Sequence, residues 1–214
     1  MSKTPTIAPS TSPASPSPVP VIDTPTLLAE LAAQQRRIVA IVADLDDATM
    51  RRPILPSGWS CGGMIQHLTG MTNFWFQTIM SGRELVAEGD DFALGDDVSI
   101  GELVEQYSLA TARGHDLVRH LPLDAPPAWW PADLFGPWQL HSLFEVLQHV
   151  LVETATHSGH LDATRELIDG RTWSYSLDRL AAPCEGKRVP PRNDSGGVRG
   201  RKTRILRSVR YVAG

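Results

Sequence analysis

From residue 24 onward, apolar positions recur at three- and four-residue steps. In TLLAELAAQQRRIVAIVADL, Leu27, Leu28, Leu31, Ile38, Ile41 and Val42 fall on one side, with Ala32 and Gln35 filling the intervening turn. Residues three and four apart share one face of an α-helix, so this period predicts a helix over about 24–45, capped by Asp23 or Thr24. A second run, CGGMIQHLTGMTNFWFQTIMSG, follows Ser60, whose side chain can cap the first-turn amides that Gly62 and Gly63 leave weakly ordered. It is expected to end near Ser81-Gly82. The third run, SIGELVEQYSLATARGHDLVRHL, opens on Ser99 and Glu102, spaced as a capping box, and carries Leu103, Tyr107, Ala110, Gly114 and Leu117 as its stripe. A fourth helix is predicted over about 140–168, stopping at Gly170.

The intervening segments read as loops. DDATMRRPILPSGWS is broken by Pro53, Pro56 and Gly58, RELVAEGDDFALGDD is polar and acidic, and PLDAPPAWWPADLFGPWQL is proline-rich with three tryptophans. No strand pattern of comparable quality and no internal repeat accompanies them. Long amphipathic helices with one or two long connections predict an all-α fold, a four-helix bundle. Residues 1–21 hold too much proline and serine to bury a core, and are expected to form a disordered arm. The bundle is then expected over 22–175, with a basic, flexible tail over 176–214.

Composition narrows the setting. With 42% hydrophobic and 21% charged residues the chain can build a packed core. No apolar run reaches the roughly 18 residues that span a bilayer. The N-terminus lacks the apolar stretch of a secretory signal, so a cytoplasmic location without a membrane partner is expected. The net charge of −4 divides into +8 from Lys187 onward and −12 before it. An acidic body argues against nucleic-acid binding by the bundle, leaving only the tail as a candidate contact. Cys61 and Cys184 are far apart and lack CxxC spacing, which argues against a disulfide framework or a cysteine-rich zinc site.

One stretch needs chemistry to explain it. HVLVETATHSGHLD, residues 149–162, sets three of the seven histidines and a glutamate into an apolar helix. On a helical wheel His149, Glu153, His157 and His160 fall at roughly 0°, 40°, 80° and 20°, a single stripe. His149 and His157 are about 12 Å apart along the axis, too far to share an ion whose bonds are about 2 Å long. The neighbouring pairs 149/153, 153/157 and 157/160 all remain open on spacing. His67, on the side of Met64, Met71 and Phe74, could add a ligand from a facing helix. Three protein ligands with open positions would make a catalytic rather than a structural metal site, whereas a solvated histidine stripe would need no metal.

SGWSCGGMIQHLTGMTNFW and HVLVETATHSGHLDATRELIDGRTW together resemble the DinB-like superfamily, metal-binding four-helix bundles that include mycothiol-dependent maleylpyruvate isomerase and bacterial thiol S-transferases. The resemblance covers roughly residues 24–173 and implies a metal triad of His67, Glu153 and His157, with His160 behind it to orient His157 or touch substrate. Many members carry histidine where this chain has Glu153. The implied cofactor is a divalent ion, zinc foremost and nickel next, with a low-molecular-weight thiol such as mycothiol as co-substrate. The expected activity is thiol S-transfer or thiol-dependent isomerisation on a small electrophile, and a homodimer is a further expectation. Two alternatives stand beside it: a metal-dependent hydrolase, and a non-enzymatic, stress-related binding or dimerisation bundle. Glu153 cannot be both a tight ligand and the free base a hydrolase needs.

Overall fold

The computed structural model describes residues 22–84, 92, 94–95 and 97–182. The proline-rich arm, Cys184 and the charged part of the tail lie outside the described residues. Helix α1 spans Thr24–Val42, and Asp23 Oδ1 accepts from the Thr26 amide at 2.9 Å, so aspartate rather than Thr24 caps it. Helix α3 spans Cys61–Asn73, capped by Ser60 Oγ on the Gly63 amide at 3.0 Å. It continues into a wide π-type turn over Phe74–Ile79, where the Met80 amide reaches five residues back to the Trp75 carbonyl at 3.1 Å. Helix α4 spans Ile100–Val118 and is capped by Ser99. Helix α6, Leu143–Asp169, is capped by Ser142. It ends on Gly170, whose φ of 78° is left-handed backbone that glycine adopts without a Cβ clash.

Three short features depart from the expected loops. Helix α2, Asp47–Arg51, forms because Asp46 caps the Thr49 amide at 2.8 Å. Helix α5 covers Ala132–Phe135. No strand was expected, yet β1 (Thr172–Ser174) pairs antiparallel with β2 (Arg179–Ala181), carrying regular structure past residue 175. Strands of three residues are too short for an alternating pattern to register in sequence. The hairpin is held from outside: Asp162 Oδ1 accepts from the Trp173 amide at 2.7 Å, and its Oδ2 pairs with buried Arg37 at 3.2 Å. The Arg37 guanidinium also donates to the Tyr175 hydroxyl and lies over that ring.

The long helices close into a bundle. Helix α1 packs on α6, α3 packs on α4, α3 meets α6, and α1 meets α4 in a thinner contact. Thr24 Oγ1 donates to the Leu121 carbonyl at 2.8 Å, placing the start of α1 beside the end of α4, so those two run antiparallel. The core between them comprises Leu31, Ile38, Ile65, Leu68, Trp75, Tyr107, Val146 and Leu161, all essentially without exposure. Each buried aliphatic side chain of this size contributes about 1.5–3 kcal/mol of transfer free energy. The described residues are thus all-α apart from one small hairpin, and among them no helix is long and apolar enough to cross a membrane.

Arg165 locks α6 to the end of α1. It is 1% exposed, donates to the Ile41 and Ala43 carbonyls at 2.7 and 2.6 Å, and pairs with Asp169 at 2.8 Å. Those carbonyls lie at the C-terminus of α1, where the last turn has no intrahelical donor left. Replacing Arg165 with Met keeps most of the stem but strands two acceptors and a carboxylate. Urea unfolding should show a loss of about 3 kcal/mol.

Candidate metal centre

Helix α3 contributes His67 and helix α6 contributes Glu153 and His157, which are one turn apart and about 6 Å along the axis. One ligand-capable atom of each lies within 4.8 Å of the others. Glu153 Oε2 is 3.3 Å from His157 Nε2, and the rings of His67 and His157 meet edge-on with centroids 4.9 Å apart. The structure therefore brings together one facing histidine and the 153/157 pair, out of the three pairs that spacing leaves open.

His67 is 9% exposed, and neither ring nitrogen has a hydrogen-bond partner among the described residues. An unsatisfied buried polar group costs about 1–3 kcal/mol, so this ring is poorly explained as a packing residue. Burial, with the neighbouring His157 as a lesser cause and Glu153 opposing, pushes its pKa down to about 4. The ring is neutral near pH 7 and keeps the lone pair a metal requires. Glu153 is held below the usual carboxylate range, chiefly by the hydrogen bond from His157, with burial opposing. Two imidazole nitrogens and an anionic oxygen form a donor set that fits a divalent cation.

The residues around this group divide the remaining roles. His160 Nδ1 stands 3.4 Å from His157 Nδ1, on the edge of the ring away from Glu153. Trp59 lies 6.2 Å from the His160 ring. Phe92 stacks on His67 with centroids 4.3 Å apart and 16° between planes. Its backbone rests on α3: a Cβ at position 63 would overlap the Phe92 carbonyl oxygen, so Gly63 is the seat of this connection. Sequence reasoning did not assign Phe92, because an aromatic in an acidic loop carries no periodic signal. Trp59 sits inside the GWS stretch.

His149 is not part of the group. Its ring lies 4.7 Å from Trp75 and 5.5 Å from Trp138, in a cluster with Trp130 and Phe135 that plugs one end of the bundle. Arg51 pairs with Asp47 at 2.9 Å and donates to the Gly95 and Val98 carbonyls, tying down the connection ahead of α4.

An all-α fold with a histidine–glutamate–histidine group between two of its helices is consistent with the DinB-like class. Within that class the chain belongs to the mycothiol S-transferase family, whose model matches residues 26–170. No curated protein matched the chain.

Cys61 supplies no nucleophile to this site. It is 1% exposed, and burial pushes its thiol up to about 11, against a weak opposing effect of Arg165. At pH 7.5 iodoacetamide should leave Cys61 unmodified in the native chain and alkylate it fully in denaturant, as read by peptide mass mapping.

Proposed function

We propose that this chain is a divalent-metal-dependent transferase that uses a low-molecular-weight thiol of the mycothiol class as its nucleophile. The observation that carries the reading is the unsatisfied, buried imidazole of His67 facing the Glu153–His157 pair across the bundle. Family membership supports the thiol and the transfer chemistry. His67, Glu153 and His157 would hold the cation, with zinc favoured and nickel admissible. A cation bound there supplies a Lewis acid that takes a thiol as its thiolate near neutral pH.

The chain's own residues prepare that step. Glu153 places its negative charge beside two imidazoles and keeps His157 turned toward it. His160 Nδ1 can accept a hydrogen bond from His157 Nδ1–H, which fixes the tautomer and leaves the lone pair of His157 Nε2, on the side of Glu153, for the ion. Phe92 and Trp59 provide apolar walls near the group, suited to an electrophile with a flat or apolar body. In the transfer itself a sulfur–carbon bond forms, the bond to the leaving group breaks, and the thiol proton passes to solvent or a buffer base. Isomerisation would differ in that the thiol adds, the substrate rotates about the bond that has become single, and the thiol leaves again.

Elemental analysis of the purified chain, followed by conjugation assays with mycothiol and common electrophiles, tests the reading. Near-stoichiometric metal, lost in His157→Ala, and thiol-dependent turnover abolished by chelator are expected. Stoichiometric metal retained in His157→Ala would remove this ligand set. Turnover that ignores thiol would favour the hydrolase. Glu153→Gln removes the anionic donor and should lower metal affinity at least as much as the about 10–100-fold that loss of an outer-shell partner costs, measured by competition with a chromophoric chelator.

A further inference from the structure

His67 lacks the support that a metal-binding imidazole ordinarily has. Such a ring usually donates its second N–H to a carboxylate, a carbonyl or water, which fixes its tautomer and its angle. His157 fits that pattern, with Glu153 Oε2 3.3 Å from Nε2 and His160 Nδ1 3.4 Å from Nδ1. Neither nitrogen of His67 has a hydrogen-bond partner among the described residues, and both are shut off from solvent. An ion would engage one of them and leave the other bare. Rotation about the bond joining Cβ to a histidine ring has broad minima, so nothing polar holds this ring toward the Glu153–His157 pair.

Ring stacking supplies the hold. Phe92 lies flat against His67, with centroids 4.3 Å apart and 16° between planes, and His157 meets the same ring edge-on. Phe92 remains 39% exposed, so it covers the imidazole rather than filling the core. Its backbone is fixed from several sides. The Phe92 carbonyl rests where a Cβ at Gly63 would stand, and Leu94 Cδ2 would come within 2.7 Å of a Cβ at Gly62. Arg51 donates to the Gly95 carbonyl at 2.9 Å and to the Val98 carbonyl. Two glycines weaken the first turn of α3, and the close approach of this connection accounts for both. Helical side chains lean toward the N-terminus, so His67, one turn beyond Gly63, leans back over the turn where Phe92 is seated.

We infer that Phe92 is the positioning residue for His67: its ring, seated by Gly63, takes the place of the missing hydrogen bond and holds the imidazole where it can join Glu153 and His157. The inference rests on the metal-dependent reading above and adds to it how the α3 ligand is oriented. A flat face is required, since a branched aliphatic chain could cover the imidazole without limiting its rotation.

Zinc affinity of the full-length chain, by competition with a chromophoric chelator, and the visible spectrum of the cobalt(II)-loaded chain test it. Phe92→Leu keeps apolar cover but loses the flat face. It should lower zinc affinity about tenfold and shift the cobalt bands, whereas Phe92→Tyr should keep both as in the wild type. Gly63→Ala, which favours the helix but lifts the connection, should lower affinity to the same degree. A role confined to stability would lower the melting temperature and leave zinc affinity and cobalt spectrum in place. Wild-type affinity with an unshifted spectrum in Phe92→Leu overturns the inference and leaves the metal centre standing. So does equal weakening in Phe92→Leu and Phe92→Tyr. A wild-type chain that binds neither ion overturns the metal-dependent reading, and this inference with it. The two Phe92 variants decide the question even if Gly63→Ala fails to fold.

Discussion

Two imidazoles and a carboxylate can approach one point inside an apolar bundle only if the helices carrying them are fixed in rotation and depth. That constraint governs the fold. A helix residue subtends about 100°, so a slip of one position would carry His67 away from the Glu153–His157 pair. Rotation of α3 is set by Met64, Ile65, Leu68 and Met71, all buried on the sides flanking His67. Depth of α6 is set at both ends. Its first amides, of Leu143 and Phe144, donate to the Ala125 and Leu123 carbonyls at 2.8 Å, and Arg165 grips the end of α1. The costs of burying Arg37 and Arg165 are offset by carboxylates and carbonyls, whereas those of His67 are not. That imbalance separates a structural cation from a candidate ligand within one core.

The long helices were legible because their stripes repeat over several turns and three of their starts carry side chains that accept from first-turn amides: Asp23, Ser60 and Ser99. Helices α2 and α5 and the hairpin were not, since each is too short for a period and depends on contacts from elsewhere, as Asp162 illustrates for Trp173. Arg37 and Arg165 read as surface cations by residue type. Only Asp169, four residues beyond Arg165, hinted at a partner, and the receiving carbonyls of α1 leave no mark in sequence.

The site was legible in halves. Spacing along α6 confined any ion to neighbouring pairs but could not choose among them, and only the resemblance singled out Glu153 and His157. The structure adds what spacing lacks: the distance across the bundle to His67, and the aromatic end cluster that engages His149. Phe92 escaped both routes, since its place depends on Gly63, far earlier in the chain, leaving room for its backbone.

The π-type turn at Phe74–Ile79 has a structural implication of its own. It follows the helical stretch that carries His67, and its own Phe74 and Trp75 pack into the aromatics that seal the end of the bundle. An extra residue accommodated there re-phases everything downstream by about 100° while leaving everything upstream in place. The same rod thus behaves as two independently indexed halves. Insertions or deletions in this hexapeptide could reshape the tryptophan plug over many generations without disturbing the face that His67 presents.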